Sequence, residues 1–384
     1  ANVLAGNHVL TFGYDREEVE IFNIFVQHSR GGEYDYFDDS QGNDAACDAL
    51  TAQERHDDTL GLLCGTSGID KFELGRPSRI YYGSAGETNN RFDAAAQFSN
   101  TLNALYLQDE MFFDDAGVTV VAGLRYEWFE SSDRPKFHQN FFDASGIRND
   151  AKIDGVSLLM PRLGVTWEAR DNLTLRGGIG LYSGGNPNVW ISNAWSNDGI
   201  TNVQPGGFSG WDEDEFFPTG QLPNGDPATS FTIFPGFADS IPLTGTGSPN
   251  RDVPQQMFDF IEASTALTAQ PRGLVLIDPN YKQPSEWKFA IGGTWDMEWL
   301  GGMTLDFDYL HTRGDNPAHY RDVSQTIVGE TLAGSPIYDY YTFDTFGVEA
   351  RDNLMLTNSS ANPTSDMLSF VLSKYWDNGC LLYT

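Results

Sequence analysis

Apolar and polar residues alternate with period two along several segments of the chain, the pattern of strands whose two faces meet different surroundings. Gly117–Glu130 shows it best. Val118, Val120, Ala122, Leu124, Tyr126 and Trp128 fall on one side; Thr119, Val121, Gly123, Arg125, Glu127 and Phe129 fall on the other. Leu173–Tyr182, Trp287–Asp296 and Met303–Leu310 repeat it. Shorter cases occur at Leu10/Phe12/Tyr14, Phe22/Ile24/Val26, Leu105/Leu107, Leu163/Val165/Trp167 and Leu368/Phe370/Leu372. With a pattern that starts at Cys380 and stops, ten strands are expected.

The connections between them alternate in length. Short ones, rich in Asp, Asn and Gly, are read at Asp15–Glu18, Asp114–Gly117, Arg170–Asn172, Met297–Gly302 and Asp377–Gly379, as hairpin turns require. Long ones run over 28–101, 131–157, 184–283 and 313–366. Soluble sandwiches spread modest loops over both ends, and a propeller repeats at a fixed spacing. Outer-membrane barrels instead carry short periplasmic turns on one rim and long extracellular loops on the other. The expected fold is therefore all-β: an antiparallel transmembrane β-barrel, present in part as about ten strands of a larger one. The aliphatic row then meets outer-membrane lipid, and the row with Arg125, Glu127, Arg176, Lys288, Asp306 and Asp308 lines a wet lumen. Tyr126, Trp128, Trp167, Trp287, Trp295, Trp299 and Tyr309 are placed for an aromatic girdle.

Composition agrees with this reading. Gly numbers 40 and aromatic residues reach 13%, ordinary for a strand-and-loop protein. No run of eighteen apolar residues occurs, so no transmembrane helix is expected, which says nothing against strands. The net charge of −31 excludes an electrostatic grip on nucleic acid, which needs clustered Lys and Arg. The acidity gathers in the long connections, at Asp35–Asp44, Asp57-Asp58 and Asp212–Glu215. Loop carboxylates have the oxygen chemistry that Ca2+ takes, but no twelve-residue calcium loop is spelled out, and a solvated acidic surface is the simpler reading; no cofactor is expected. Cys47 and Cys64 share one polar stretch and are a candidate loop disulfide in an oxidising compartment, with two unpaired thiols as the alternative. Cys380 reads as a small apolar strand residue.

Catalytic patterns are missing. The six histidines are scattered without metal-ligand spacing, and Gly206–Gly210 falls short of a nucleophile elbow. Gly177-Gly178-Ile179-Gly180 continues as a strand rather than opening a helix, so it is not a phosphate loop. No enzyme is expected. Ala1 is followed by strand-like sequence with no targeting segment, and the pattern at Cys380 breaks off. The expectation is one section of barrel over 1–384, read as part of a longer polypeptide whose signal peptide lies outside this sequence.

Several segments resemble the TonB-dependent transporters of the outer membrane: Gly75-Arg76-Pro77-Ser78-Arg79-Ile80-Tyr81-Tyr82, Leu107-Gln108-Asp109-Glu110 followed by Ala122-Gly123-Leu124-Arg125-Tyr126, and Pro161–Trp167. Asp278–Pro284 and Ser373–Gly379 extend the series, and Gly184-Gly185-Asn186-Pro187-Asn188-Val189-Trp190 resembles the Oar-like subgroup. The resemblance implies a larger barrel around an N-terminal plug, a scarce solute bound from outside, and coupling through that plug to the inner-membrane TonB complex. Loop aromatics Tyr81, Tyr82, Trp190, Trp195, Trp211 and Phe216, with lumenal Arg125 and Arg176, are the candidate solute contacts; the alternative for each is a structural role, and for Arg125 and Arg176 it is pairing with carboxylates across the strand ladder. A passive pore, an adhesin anchored by its barrel, and a secreted soluble β-protein are the competing readings.

Overall fold

The computed structural model describes residues 1–29, 32–37, 51, 67–69, 79–185, 187–205, 211–212, 255–269, 273–340, 342–343, 348–349 and 353–374. Nine strands form one sheet: β1 (Asn2–Ala5), β2 (His8–Asn23), β3 (Ala96–Phe113), β4 (Val118–Glu130), β5 (Ser157–Arg170), β6 (Leu173–Ser183), β7 (Ser285–Met297), β8 (Met303–Asp315) and β9 (Thr364–Lys374). They stand side by side in chain order, and every neighbouring pair is antiparallel. Turns at one end of this wall are a few residues long. At the other end the connections span 24–95, 131–156, 184–284 and 316–363.

Two of the tight turns share one construction. A single 3-10 turn, Asp114–Ala116 or Glu298–Leu300, is closed by a glycine with positive φ, Gly117 at 62° and Gly301 at 71°. Each donates its N–H back to the first residue of the turn, at 3.1 Å in both cases. A side chain at these left-handed positions would be strained.

The first hairpin is not where alternation placed it. Asp15–Glu18 is not a turn: β2 runs straight through it, with Asp15 paired to Ala104 and Glu18 to Thr101, and the turn lies at Gly6-Asn7. The charged run marks the height at which β2 leaves the hydrocarbon. Below it the outward residues are Phe12 and Tyr14; above it they are Arg16 and Glu18, with Arg16 within 3.7 Å of Glu130. The two segments read as strands on either side of it are therefore one, and Asn2–Ala5, which alternation did not single out, is a further strand, so the wall has nine strands among the described residues. Residues 375–384, where the tenth was read, lie outside the described residues.

The two faces follow the alternation. On β2–β7 the half-exposed large apolar side chains, such as Leu107 (54%), Leu124 (47%), Leu163 (46%) and Ile291 (53%), all share the outward parity. Aromatic residues bound this stripe. Tyr14, Tyr126 and Trp128 cluster towards the long connections, with Tyr126 stacked on Trp128 at 5.5 Å. Trp295 and Trp299 meet at 6.3 Å beside a short turn, where Trp167 also lies. Tyr309 sits mid-strand, yet directly below it the stripe is apolar and directly above it His311 pairs with Asp366 at 2.8 Å. Lower on the wall the outward carboxylate of Asp109 interrupts the apolar stripe, and its partner is His8 at 2.8 Å. A carboxylate facing lipid needs such a partner.

Candidate functional site

The buried core lies beneath the long connections rather than within the wall. The helix α1 (Gln139–Ser145) belongs to 131–156, and α2 (Asn188–Ser196) and α3 (Gln255–Glu262) belong to 184–284. α2 brings Ile191, Ala194 and Trp195 against Phe98 and Phe129, which are inward-facing residues at the upper ends of β3 and β4. Trp195 is 6% exposed and stacks on Phe98 at 4.3 Å. The helix therefore stands on the inner side of the wall.

Short strands then lock one connection to another. Val275–Ile277 pairs in parallel with Leu354–Asn358, which pairs antiparallel with Ala318–Asp322, so 184–284 and 316–363 share a sheet. Arg79–Tyr81 pairs with both Glu33–Asp35 and Trp211–Asp212, and Ser84 bridges to Val203, so 24–95 is tied to 184–284. Asp198, fully buried, accepts from the backbone N–H groups of Ile200 (2.8 Å) and Thr201 (2.6 Å), the Thr201 hydroxyl (2.7 Å) and the N–H of Lys136 (3.3 Å). Burial pushes its carboxyl upward despite these donors. Burial also drives the Tyr281 hydroxyl, in the same core as Trp195, up to about 12.

Connection 131–156 is anchored by carboxylates. Asp133 accepts from the backbone N–H of Ser99 (2.6 Å) and from its hydroxyl (2.9 Å), which holds it below the usual carboxylate range. Asp154 is lowered chiefly by the Ser131 N–H (3.1 Å), and then by Lys152. Burial pushes Asp150 up, but two hydrogen bonds from Arg148 (2.9 and 2.6 Å) outweigh it and leave it lowered. Groups depressed in the folded state stabilise it fully above the unfolded carboxylate value of about 4, and that contribution disappears as pH falls through their lower folded values. Acidifying from about pH 5 to 3 should thus loosen amide-exchange protection over 131–156 before that of β4. Equal loss in both would contradict this anchoring.

The inner face of the wall is polar, and two of its arginines are paired with carboxylates. Arg125 donates to Asp15 (2.9 Å) and Glu127 (2.8 Å), with its guanidinium 5.8 Å from the Tyr106 ring. Arg176 reaches both carboxylate oxygens of Asp308 (2.9 and 3.0 Å), and the Thr294 hydroxyl at 3.3 Å. A pocket of about 180 Å³ opens on this face, lined by Asp15, Tyr106, Gln108, Gly123, Arg125 and Arg162, among others.

The residues expected to touch solute are thus separated. Arg125 and Arg176 are on the inner wall, and each is held by carboxylates. Tyr82 (1% exposed) is interior to the loop layer, its hydroxyl donating to Asn89 at 3.0 Å and its ring stacked on Phe258. Trp195 is interior as well. Tyr81 lies tilted against the His28 ring at 5.2 Å. Trp190 is 41% exposed and stacks on Tyr320 at 5.6 Å, which makes it the most open of these aromatics. Trp211 is placed by its backbone in a two-residue strand. Phe216, Cys47, Cys64 and the acidic runs at 57–58 and 213–215 lie outside the described residues. Alternation did not single out Tyr106, Tyr182 or Arg162, whose inward parity and register are the signals that find them.

The family model for an outer membrane beta barrel domain matches residues 1–382. The chain matches none of the curated proteins. Among solved structures it is similar to the FrpB iron transporter of Neisseria meningitidis, at 11% identity and a TM-score of 0.38 over 97% of this chain and 32% of that one. It is also similar to the outer membrane transporter YddB of Escherichia coli, at 10% identity and a TM-score of 0.43 over 97% of this chain and 29% of that one. The siderophore receptor PirA of Acinetobacter baumannii gives 10% identity and a TM-score of 0.38, over 97% and 32%. The chain spans about a third of the length of these structures. A nine-stranded antiparallel wall with an apolar outer stripe and a charged inner face, matched over nearly all its length by one family, belongs to the outer membrane beta barrel domain family of the Gram-negative outer membrane.

Proposed function

We propose that this chain is the wall and outer-loop section of a receptor that captures a scarce solute at the cell surface and imports it through a plugged barrel, with energy from the TonB complex. One observation carries the reading: the outer connections are knitted into a layer with its own core, and α2 of that layer packs against the inner side of the wall. A mouth narrowed in this way suits a bound and gated solute better than free diffusion. The resemblance in Leu107–Glu110 and Ala122–Tyr126 supports TonB coupling, and the Gly184–Trp190 stretch supports the Oar-like branch. Nothing in the residues calls for catalysis.

The full-length protein tests this in planar bilayers. It should show no steady open-pore conductance, and it should bind the periplasmic domain of TonB. A stable open channel that ignores TonB would overturn the proposal in favour of a passive pore.

A further inference from the structure

Successive cross-strand partners run from Gln108 on β3 through Gly123, Arg162, Gly180 and Lys288 to Thr312 on β8. All share the inward parity, and none is a carboxylate, in a chain whose net charge is −31. Glycine flanks Arg162 on both sides. Tyr182 folds its ring over Gly180, where an added Cβ would lie 3.0–3.2 Å from the ring atoms. The Arg162 guanidinium lies 4.7 Å from the centre of that ring and the Lys288 ammonium 5.4 Å. One tyrosine therefore gathers two cations.

Arg162 differs from the other inner-wall cations in its charge balance. Arg125 and Arg176 are held by carboxylates, and Lys288 has Glu286 at 3.4 Å. Arg162 has no carboxylate within ion-pair distance among the described residues; its contact is the Tyr182 ring. It is exposed on the inner face and also lines the 180 Å³ pocket, where Asp15 is already taken by Arg125 and Gln108 offers an amide. An unpaired guanidinium presents a planar fork of donors matched to two oxygens of a carboxylate or phosphate.

We propose that Arg162, Lys288 and Tyr182 form an oxyanion site on the lumenal wall, which takes a carboxylate or phosphate group of a solute inside the barrel. It deepens the receptor reading above and rests on it. Arg162 is the principal donor, Lys288 adds a second positive charge, and Tyr182 on Gly180 holds the two at one place.

Calorimetric titration of the purified full-length protein at low salt tests the site, with tricarballylate as the carboxylate probe and tripolyphosphate as the phosphate probe. At least one should bind, and the one that does identifies the group. Arg162→Gln should weaken binding roughly ten-fold or more, Arg162→Lys should retain part of it, and Thr312→Ala in the same row should leave it unchanged. Heat-modifiable migration of each variant on gels checks that its barrel is intact. Failure of both probes, or equal binding by wild type and Arg162→Gln, overturns the site and leaves the receptor reading standing. Binding through Arg162 in a protein that behaves as an open, TonB-independent pore would reject the receptor reading while the site remains.

Discussion

Ile179→Arg is expected to cut the amount of protein assembled in the outer membrane by more than ten-fold. Ile179 lies at the middle of β6, is 44% exposed, and has outward-facing Leu163 and Phe289 as its cross-strand partners. An arginine at the bilayer midplane on that face costs about 2–4 kcal/mol, and a difference of about 1.4 kcal/mol is already ten-fold at equilibrium. Thr174→Arg, on the same strand but with inward parity, is expected to assemble normally. Its cross-strand partners are Glu168 and Thr294, so the new charge meets a carboxylate and water. Quantifying both variants in outer-membrane fractions decides the point; similar losses would show that the faces are misassigned.

The second large effect is expected at Trp195→Ala. The indole is buried and stacked on Phe98, and the cluster around it includes Phe129 from the wall and Ile277, Tyr281 and Leu356 from two other parts of the loop layer. Removing a buried tryptophan costs about 3–5 kcal/mol. Because the strands below keep their own backbone ladders, the loss should appear as loosening of the layer, with the barrel still inserted. Limited proteolysis of intact cells should cut the variant within 131–156, 184–284 or 316–363 far faster than wild type. Unchanged cleavage would mean that the layer is held to the wall by something other than this cluster.

Alternation made the wall legible because each strand separates two solvents, and a period of two cannot persist otherwise. It failed at Asp15–Glu18, where a strand rises beyond the hydrocarbon and both faces turn polar; the charge run then resembles a turn. The loop core was hidden for a different reason. Val275–Ile277 is buried on every side and only three residues long, so it shows no alternation, and its partners come from residues more than seventy positions away. The spread of the solute-contact candidates follows from the same limit: Tyr82 and Trp195 look like exposed loop aromatics until the connections are seen to pack together. The parity of Arg162 can be read from Leu163, Val165 and Trp167. Its place between Gly123 and Gly180 depends on register, which no single strand encodes.

Spin labels placed one at a time at positions 119–126 of β4 test the central assignment most directly, in full-length protein reconstituted into lipid. Collision with oxygen, which concentrates in the bilayer, should peak at 120, 122, 124 and 126, and collision with a water-soluble nickel chelate should peak at 119, 121, 123 and 125. Oxygen accessibility without that alternation, or alternation in the opposite phase, would contradict a wall with lipid on one side and water on the other.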